Sequence, residues 1–132
     1  MGSAFAWILP IVLGLLLGIL LSTRKKHDYT QIQTLPADQF SQNMRKGQLI
    51  DARSEEQFKT GHILGSRHYP KQSVFDHLSK LRRDQPIYLI VDAKAVFSSA
   101  LARKLIRKGF RPVYLLEGGL EKWPYPLREG AN

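Results

Sequence analysis

The first 23 residues carry no ionisable side chain, and this feature constrains the fold of the chain most strongly. Residues 4–21 form an uncharged apolar run of 18 residues, which as a helix covers roughly 27 Å, close to the thickness of a bilayer's hydrocarbon core. A signal peptide carries its basic residues before such a run, whereas Arg24, Lys25 and Lys26 follow it here. The sequence therefore predicts a transmembrane helix over residues 4–23, in preference to a buried core helix.

This basic flank also predicts an orientation. Lys and Arg remain on the cytoplasmic side of a membrane, so we expect a single-pass cell-membrane protein with its N-terminus outside and its domain in the cytoplasm. Membrane lipid is the first expected partner, through the apolar helix and through Arg24, Lys25 and Lys26 at the membrane surface. Gly14 and Gly18 form a GxxxG pair, which either lets two such helices pair as a homodimer or has no role in association.

All 20 Lys and Arg residues and all 11 Asp and Glu residues lie after Thr23, so the formal charge of +9 belongs to the rest of the chain. Such a surplus favours anionic partners without naming one. No aromatic-lined sheet motif or recognition helix accompanies it, so nucleic acid is not an expected partner. Cysteine is absent, which excludes disulfides, a thiolate nucleophile and Cys-ligated metals within these residues.

After a basic linker over residues 24–30, apolar segments alternate between strand and helix patterns to residue 128, and residues 129–132 form a tail. Strands are predicted at 48–51, 86–91 and 112–119, with an extended segment at 66–70. Helical patterns cover 35–47, 54–61, 72–84 and 99–109, and Ser54 with Gln57 has capping-box spacing. Such alternation predicts an α/β, doubly wound, mostly parallel sheet flanked by helices.

Two blocks of residues resemble the rhodanese-like domain. The first is an apolar strand followed by D-x-R, an acidic turn and G-H-I-x-G-[AS]; the second is a strand that ends in Gly-Gly, with a Trp four residues later. The matching residues are Asp51, Arg53, Glu56, Gly61, His62, Ile63, Gly65 and Ser66, and then Gly118, Gly119 and Trp123. The resemblance covers roughly residues 31–127 and implies that these residues have structural roles. Asp51 and Arg53 could also be read as a catalytic pair, but a role in fixing the end of a strand is favoured.

In active members of that family, a cysteine ends the central strand and opens a tight loop that surrounds a persulfide-bearing thiolate with N–H groups. Counting back from Gly109 places that position at Asp92, and counting along the strand places it at Val91. The family's loop glycine falls on Ala95, its arginine on Phe97 and its small hydroxyl residue on Ser98. The resemblance therefore implies a degenerate site with no catalytic residue, formed by Asp92, Ala93, Lys94, Ala95, Val96, Phe97 and Ser98.

Asp92 has two possible roles. As a nucleophile of the aspartyl phosphatase type it needs a second acidic residue two positions later. That position holds Lys94, so the requirement is not met. As a structural residue it accepts hydrogen bonds from the loop's N–H groups or caps the next helix near Ser98. The second role is favoured. His62, His68 and His77 lack carboxylate partners at ligand spacing, so neither a metal nor another cofactor is predicted.

These observations predict a membrane-anchored, catalytically inactive rhodanese-like domain that serves as a protein-binding or scaffold module on the cytoplasmic face. The apolar loop residues Ala93, Val96 and Phe97 are its expected contact surface. The alternative is a residual anion-binding, sulfurtransferase-related enzyme that uses a partner's thiol. A third surface, the basic face formed by Arg103, Lys104, Arg107 and Lys108, is either solvated or rests on anionic headgroups.

Overall fold

The computed structural model describes residues 3–23, 26–71, 73–98 and 100–130, with the backbone alone at Ala4, Phe97 and Ser98. Its centre is a sheet of five strands in which every pair is parallel, in the order β1-β5-β4-β2-β3. The strands are β1 (Ile32–Leu35), β2 (Gln48–Asp51), β3 (Arg67–His68), β4 (Ile87–Ile90) and β5 (Val113–Leu116). The predicted α/β class with a parallel sheet is confirmed.

Helices cover both faces of the sheet. The α-helices are α1 (Ser3–Ala6), α2 (Ile8–Ser22), α3 (Ala37–Asn43), α4 (Glu55–Thr60), α5 (Ala93–Ser98) and α6 (Ala100–Arg107). Short 3-10 helices occupy Tyr29–Gln31, Met44–Lys46, Val74–Lys80 and Gly119–Lys122. The 3-10 helix Val74–Lys80 replaces the α-helix predicted over 72–84. There the amide of Asp76 bonds the carbonyl of Ser73, and Leu81 bonds Leu78, at the three-residue spacing of a 3-10 helix.

Two apolar clusters, one on each face, hold the sheet. Because side chains alternate along a strand, Ile87 and Leu89 of β4 face one cluster, and Tyr88 and Ile90 face the other. The first cluster takes in the buried face of α6, formed by Leu101, Ala102, Leu105 and Ile106. The second takes in Phe40 and Met44, from α3 and the turn that follows it.

The apolar N-terminal segment is not the single transmembrane helix that we expected over residues 4–23. It forms two helices that are separated at Trp7. Pro10 has no N–H to donate to the carbonyl four residues before it, so an uninterrupted helix through this point loses a hydrogen bond. The longer helix, α2, has 15 residues, and no helix in the described ranges is both long enough and apolar enough to cross a membrane.

Two other predictions concern this segment. Gly14 and Gly18 lie in α2 with no atom within 4 Å of the position of a Cβ, and pairing through them stays a prediction. Of the expected membrane-surface residues, Arg24 and Lys25 lie outside the described residues, and Lys26 is exposed.

Candidate functional site

The corner between β2 and α4 is built on a buried ion pair. Asp51, the last residue of β2, is fully buried, and its carboxylate accepts hydrogen bonds from Nε of Arg53 at 3.0 Å and from Nη2 at 2.8 Å. The same Nη2 donates to the carbonyl of Gly61 at 2.7 Å, beyond the end of α4. The pair therefore ties the end of a central strand to both ends of the next helix, which is a structural role.

α4 begins with the capping box that its sequence predicts. The side chain of Ser54 accepts a hydrogen bond from the amide of Gln57 at 3.3 Å, and the side chain of Gln57 accepts from the amide of Ser54 at 3.1 Å. This box satisfies amides that have no partner within the helix. It also fixes the position of the Gln57 side chain, whose Nε2 donates a hydrogen bond to Asp92.

His62 follows α4 and is fully buried. Its ring stacks on Phe58 at a centroid distance of 3.8 Å, its Nδ1 lies 2.8 Å from the carbonyl oxygen of Phe58, and its backbone pairs with Arg128. His68 stacks on Phe58 as well, at 4.3 Å. In the described part of the chain, no three His, Cys, Asp or Glu residues are grouped so that they could hold a metal ion.

The turn after His62 joins this corner to β3. The hydroxyl and the amide of Ser66 both donate to the carbonyl of Ile63, at 2.7 and 3.0 Å. Gly65 has a φ of +86°, a conformation that side chains with a Cβ disfavour. Ile63 is buried, whereas Glu56 is exposed on α4.

The second corner lies between β4 and α5, beside the first. After Val91 the chain turns at Asp92 directly into α5, and the amides of Ala95 and Val96 both donate to the backbone carbonyl of Asp92, at 2.8 and 3.2 Å. A loop that surrounds an anion must direct such amides at the ligand. Here those two amides are directed at the chain's own carbonyl, as in an ordinary helical turn.

The Asp92 side chain is exposed, and its carboxylate reaches a neighbouring element. Oδ1 of Asp92 accepts a hydrogen bond of 2.7 Å from Nε2 of Gln57. Gln57 was not predicted as a partner of Asp92, because 35 residues separate the two side chains and the sequence shows only the spacing of Gln57 to Ser54. The expected cap near Ser98 lies outside the described side chains.

One residue of the predicted contact surface on this loop, Val96, is buried. Val96 is 8% exposed and belongs to the core cluster that contains α6, because α5 begins directly after Asp92 and directs this position inward. Ala93 and Ala95 are half-buried, Lys94 is exposed, and the side chain of Phe97 lies outside the described part. Beneath the loop lies a cavity of about 200 Å³, lined mainly by apolar residues, with Ser54, Lys71 and Asp92 among its polar members.

The Gly-Gly pair after β5 packs against the turn at Asp92. Gly118 and Gly119 have φ values of +71° and +64°. A Cβ on Gly119 would lie 3.1 Å from both the carbonyl oxygen of Val91 and the amide nitrogen of Ala93. The absence of a side chain at this position therefore lets the turn pack against the backbone on both sides of Asp92.

Trp123 packs edge-on against Phe40, with ring centroids 6.2 Å apart, and belongs to the second core cluster. Its Nε1 is buried and has no hydrogen-bond partner in the described residues. The indole therefore contributes apolar contact to the core of the domain.

An open groove of about 400 Å³ separates α4 from the Gly-Gly turn, and Asp92 is one of its lining residues. Three exposed carboxylates line it, those of Glu56, Asp92 and Glu121. The cation of the lining, Arg53, already bonds Asp51. We call this surface the acidic groove; its other lining residues are Gln57, Thr60, Gly61, Val91, Ala93, Leu120 and Leu127.

A parallel sheet with helices on both faces, and with its groove at the carboxyl ends of the strands, defines a small doubly wound α/β domain. A family model described as the rhodanese-like domain matches residues 36–124, about two thirds of the chain. The chain belongs to the rhodanese-like domain family.

Relatives and solved structures agree with this assignment. The chain is 37% identical to YqhL of Bacillus subtilis over 92 residues, which cover 70% of this chain and 72% of that protein. It is 36% identical to thiosulfate sulfurtransferase GlpE of Pseudomonas aeruginosa over 92 residues, 69% of this chain and 83% of the relative. The rhodanese-like domain protein of Staphylococcus aureus has the same fold, with a TM-score of 0.66 at 18% identity, over 75% of this chain and 99% of its own.

Proposed function

We propose that this chain is a binding module of the rhodanese-like family that recognises a cationic segment of a partner protein in the acidic groove, and that it does not transfer sulfur. The observation that carries this proposal is the charge of the groove. Three exposed carboxylates line it, in a chain whose formal net charge is +9. A groove of one sign attracts ligands of the other sign.

The chemistry of sulfur transfer argues in the same direction. Several relatives are named thiosulfate sulfurtransferase, and the family mechanism needs a thiolate, whereas this sequence contains no cysteine. Thiosulfate is a dianion, so the carboxylates of Glu56, Asp92 and Glu121 repel it. The amides of Ala95 and Val96, which an anion would need, donate to Asp92.

The alternative was a residual anion-binding enzyme that uses a partner's thiol. It requires the same amides and an anion placed beside Asp92, so the geometry favours the cationic ligand. Of the expected contact residues, the proposal keeps Ala93, which lines the acidic groove, and drops Val96, which is buried. Contact through Phe97 stays a prediction.

The catalytic half of the proposal is tested by the transfer of sulfur from thiosulfate to cyanide. We expect the full chain to form thiocyanate no faster than a protein-free blank, because it has no thiolate. Turnover that increases with protein concentration contradicts the proposal.

The binding half is tested with a fluorescent octalysine peptide as the probe. The substitutions E56Q/E121Q remove two charges from the groove, and D38N/D76N remove two exposed charges elsewhere. We expect the groove variant to weaken binding about tenfold and the control less than twofold at 0.1 M salt, where remote charges are screened. Equal losses in the two variants contradict recognition by the groove.

A further inference from the structure

A second charged surface lies at the amino ends of β1 and β5, whereas the acidic groove lies at the carboxyl ends of β2 and β4. The segment that precedes β1 and the segment that precedes β5 meet there, because β1 and β5 are adjacent and parallel. Between them is a cleft of about 390 Å³, which we call the basic cleft. Its lining residues are Lys26, His27, Asp28, Ile106, Arg107, Lys108, Gly109 and Arg111.

We propose that the basic cleft binds the phosphate group of an anionic phospholipid. It presents four permanent cations, those of Lys26, Arg107, Lys108 and Arg111, all of which are exposed, and one carboxylate, that of Asp28. The proposal is independent of the function proposed for the acidic groove, which lies at the carboxyl ends of the strands.

No ion pair between described residues uses the cations of the cleft. The ion pairs in the described part of the chain join Arg53 to Asp51, Lys59 to Glu55, and Arg82 to Asp84, and none of them involves the cleft. The carboxylate of Asp28 accepts hydrogen bonds from the amide and the hydroxyl of Thr30. These bonds, and to a smaller extent the charge of Arg111, hold the pKa of Asp28 below its usual value.

A simpler explanation covers part of the cluster. Arg107 and Lys108 lie at the C-terminal end of α6, where cations complement the helix dipole. That explanation does not extend to Lys26, His27 or Arg111, which lie on other segments. The end of α6 is also capped independently, by amide bonds from Gly109 and Phe110 and by Nε of Arg83, which donates to the carbonyl of Lys108 at 3.0 Å.

The position of the cleft in the chain favours a lipid phosphate over a free one. Every large apolar side chain of α2 is 42% to 66% exposed, and an exposed apolar surface of this extent is typical of a site that a membrane or a partner protein covers. α2 ends at Ser22, four residues before Lys26. Four residues span at most roughly 14 Å, so an apolar phase that covers α2 has its charged surface within reach of the cleft.

A cation–π contact joins the two walls of the cleft. The guanidinium of Arg103 lies over the ring of Tyr29 at 5.8 Å, and this contact joins α6 to the segment before β1. The two walls that carry Lys26 and Arg107 are thus parts of one folded unit, and their cations converge on a common space.

The test compares the full chain on vesicles of phosphatidylcholine alone and on vesicles with 30% phosphatidylglycerol. The ratio of the two partition coefficients removes the apolar contribution of α2. R107E/R111E reverses two charges in the cleft, and K46E/K122E reverses two exposed charges on the other face of the sheet. R107Q/R111Q serves as the second cleft variant if the reversal fails to fold.

We expect the cleft reversal to lower the ratio about 30-fold or more, since each basic residue near the surface contributes about fivefold. The control should lower it less than about threefold, because remote charges are screened. Equal losses in the two variants overturn the proposal. Binding of inorganic phosphate to the cleft, with a vesicle ratio that does not depend on Arg107 and Arg111, assigns the site to a soluble phosphate and overturns the lipid. An equal cleft-dependent loss of binding to poly(U) also overturns it.

Discussion

The two corners at the carboxyl ends of β2 and β4 lie side by side, since Asp51 pairs with Ile90 in the sheet register, and they differ in what their acidic residues do. Asp51 is fully buried and bound by a guanidinium. Asp92 is exposed and held by an amide side chain. The first corner carries the family's motif and holds the fold together. The second, where the resemblance places the family's catalytic position, contributes charge to a groove. The residues of the first corner therefore indicate the family and not its activity.

The largest effect expected from this comparison is the loss of Arg53. R53A removes the guanidinium that pairs with the buried carboxylate of Asp51, leaves that carboxylate only the backbone amide of residue 53 among these donors, and frees the carbonyl of Gly61, so it should lower the free energy of unfolding by about 3–5 kcal/mol. Urea denaturation measures the change. A loss below about 1 kcal/mol contradicts the structural role of the first corner.

The next effect concerns Gly119, which packs against the backbone of the second corner. G119A places a Cβ against the backbone of Val91 and Ala93 and requires a positive φ, whereas G118A meets only the flexible side chain of Lys122. We expect G118A to cost about 1–2 kcal/mol for its conformation and G119A about 1 kcal/mol or more beyond that for the clash. Equal unfolding free energies for the two variants contradict the close approach at Gly119.

A smaller effect is expected from the bond between the two corners. In a double-mutant cycle, D92A and Q57A should show a coupling free energy of about 0.5–1 kcal/mol, which is typical of one exposed hydrogen bond. D92N keeps an acceptor oxygen and should retain most of this coupling. If the two alanine variants are additive within the error of the measurement, the contact between Asp92 and Gln57 does not form in solution.

Local patterns in the sequence predicted much of the fold, and longer-range contacts account for what they missed. The apolar spacing of α6 and the capping box at Ser54 need only neighbouring residues to be recognised, and both predictions are confirmed. The edge strand β1 was missed, since its residues gain a role only by pairing with β5. The burial of Val96 was missed for a similar reason, because it depends on where α5 begins.

The candidate site shows the same limit more sharply. The position of Asp92 at the end of a strand was predicted from the sequence, but its bond to Gln57 crosses 35 residues of sequence. The acidic groove joins Glu56, Asp92 and Glu121 from three separate segments. No periodicity or spacing in the sequence connects these three residues, so only the folded chain shows that the site carries negative charge.

The central claim is that the second corner lacks more than a nucleophile, and the substitution D92C tests it most directly. It introduces a thiol at the position that the resemblance matches to the family's cysteine, and it leaves the amides of Ala95 and Val96, the helical turn of α5, and the carboxylates of Glu56 and Glu121 in place. We predict that purified D92C transfers no sulfur from thiosulfate to cyanide above the rate of D92S, its matched control without a thiol. A rate for D92C that clearly exceeds that of D92S, and that iodoacetamide abolishes, contradicts the account.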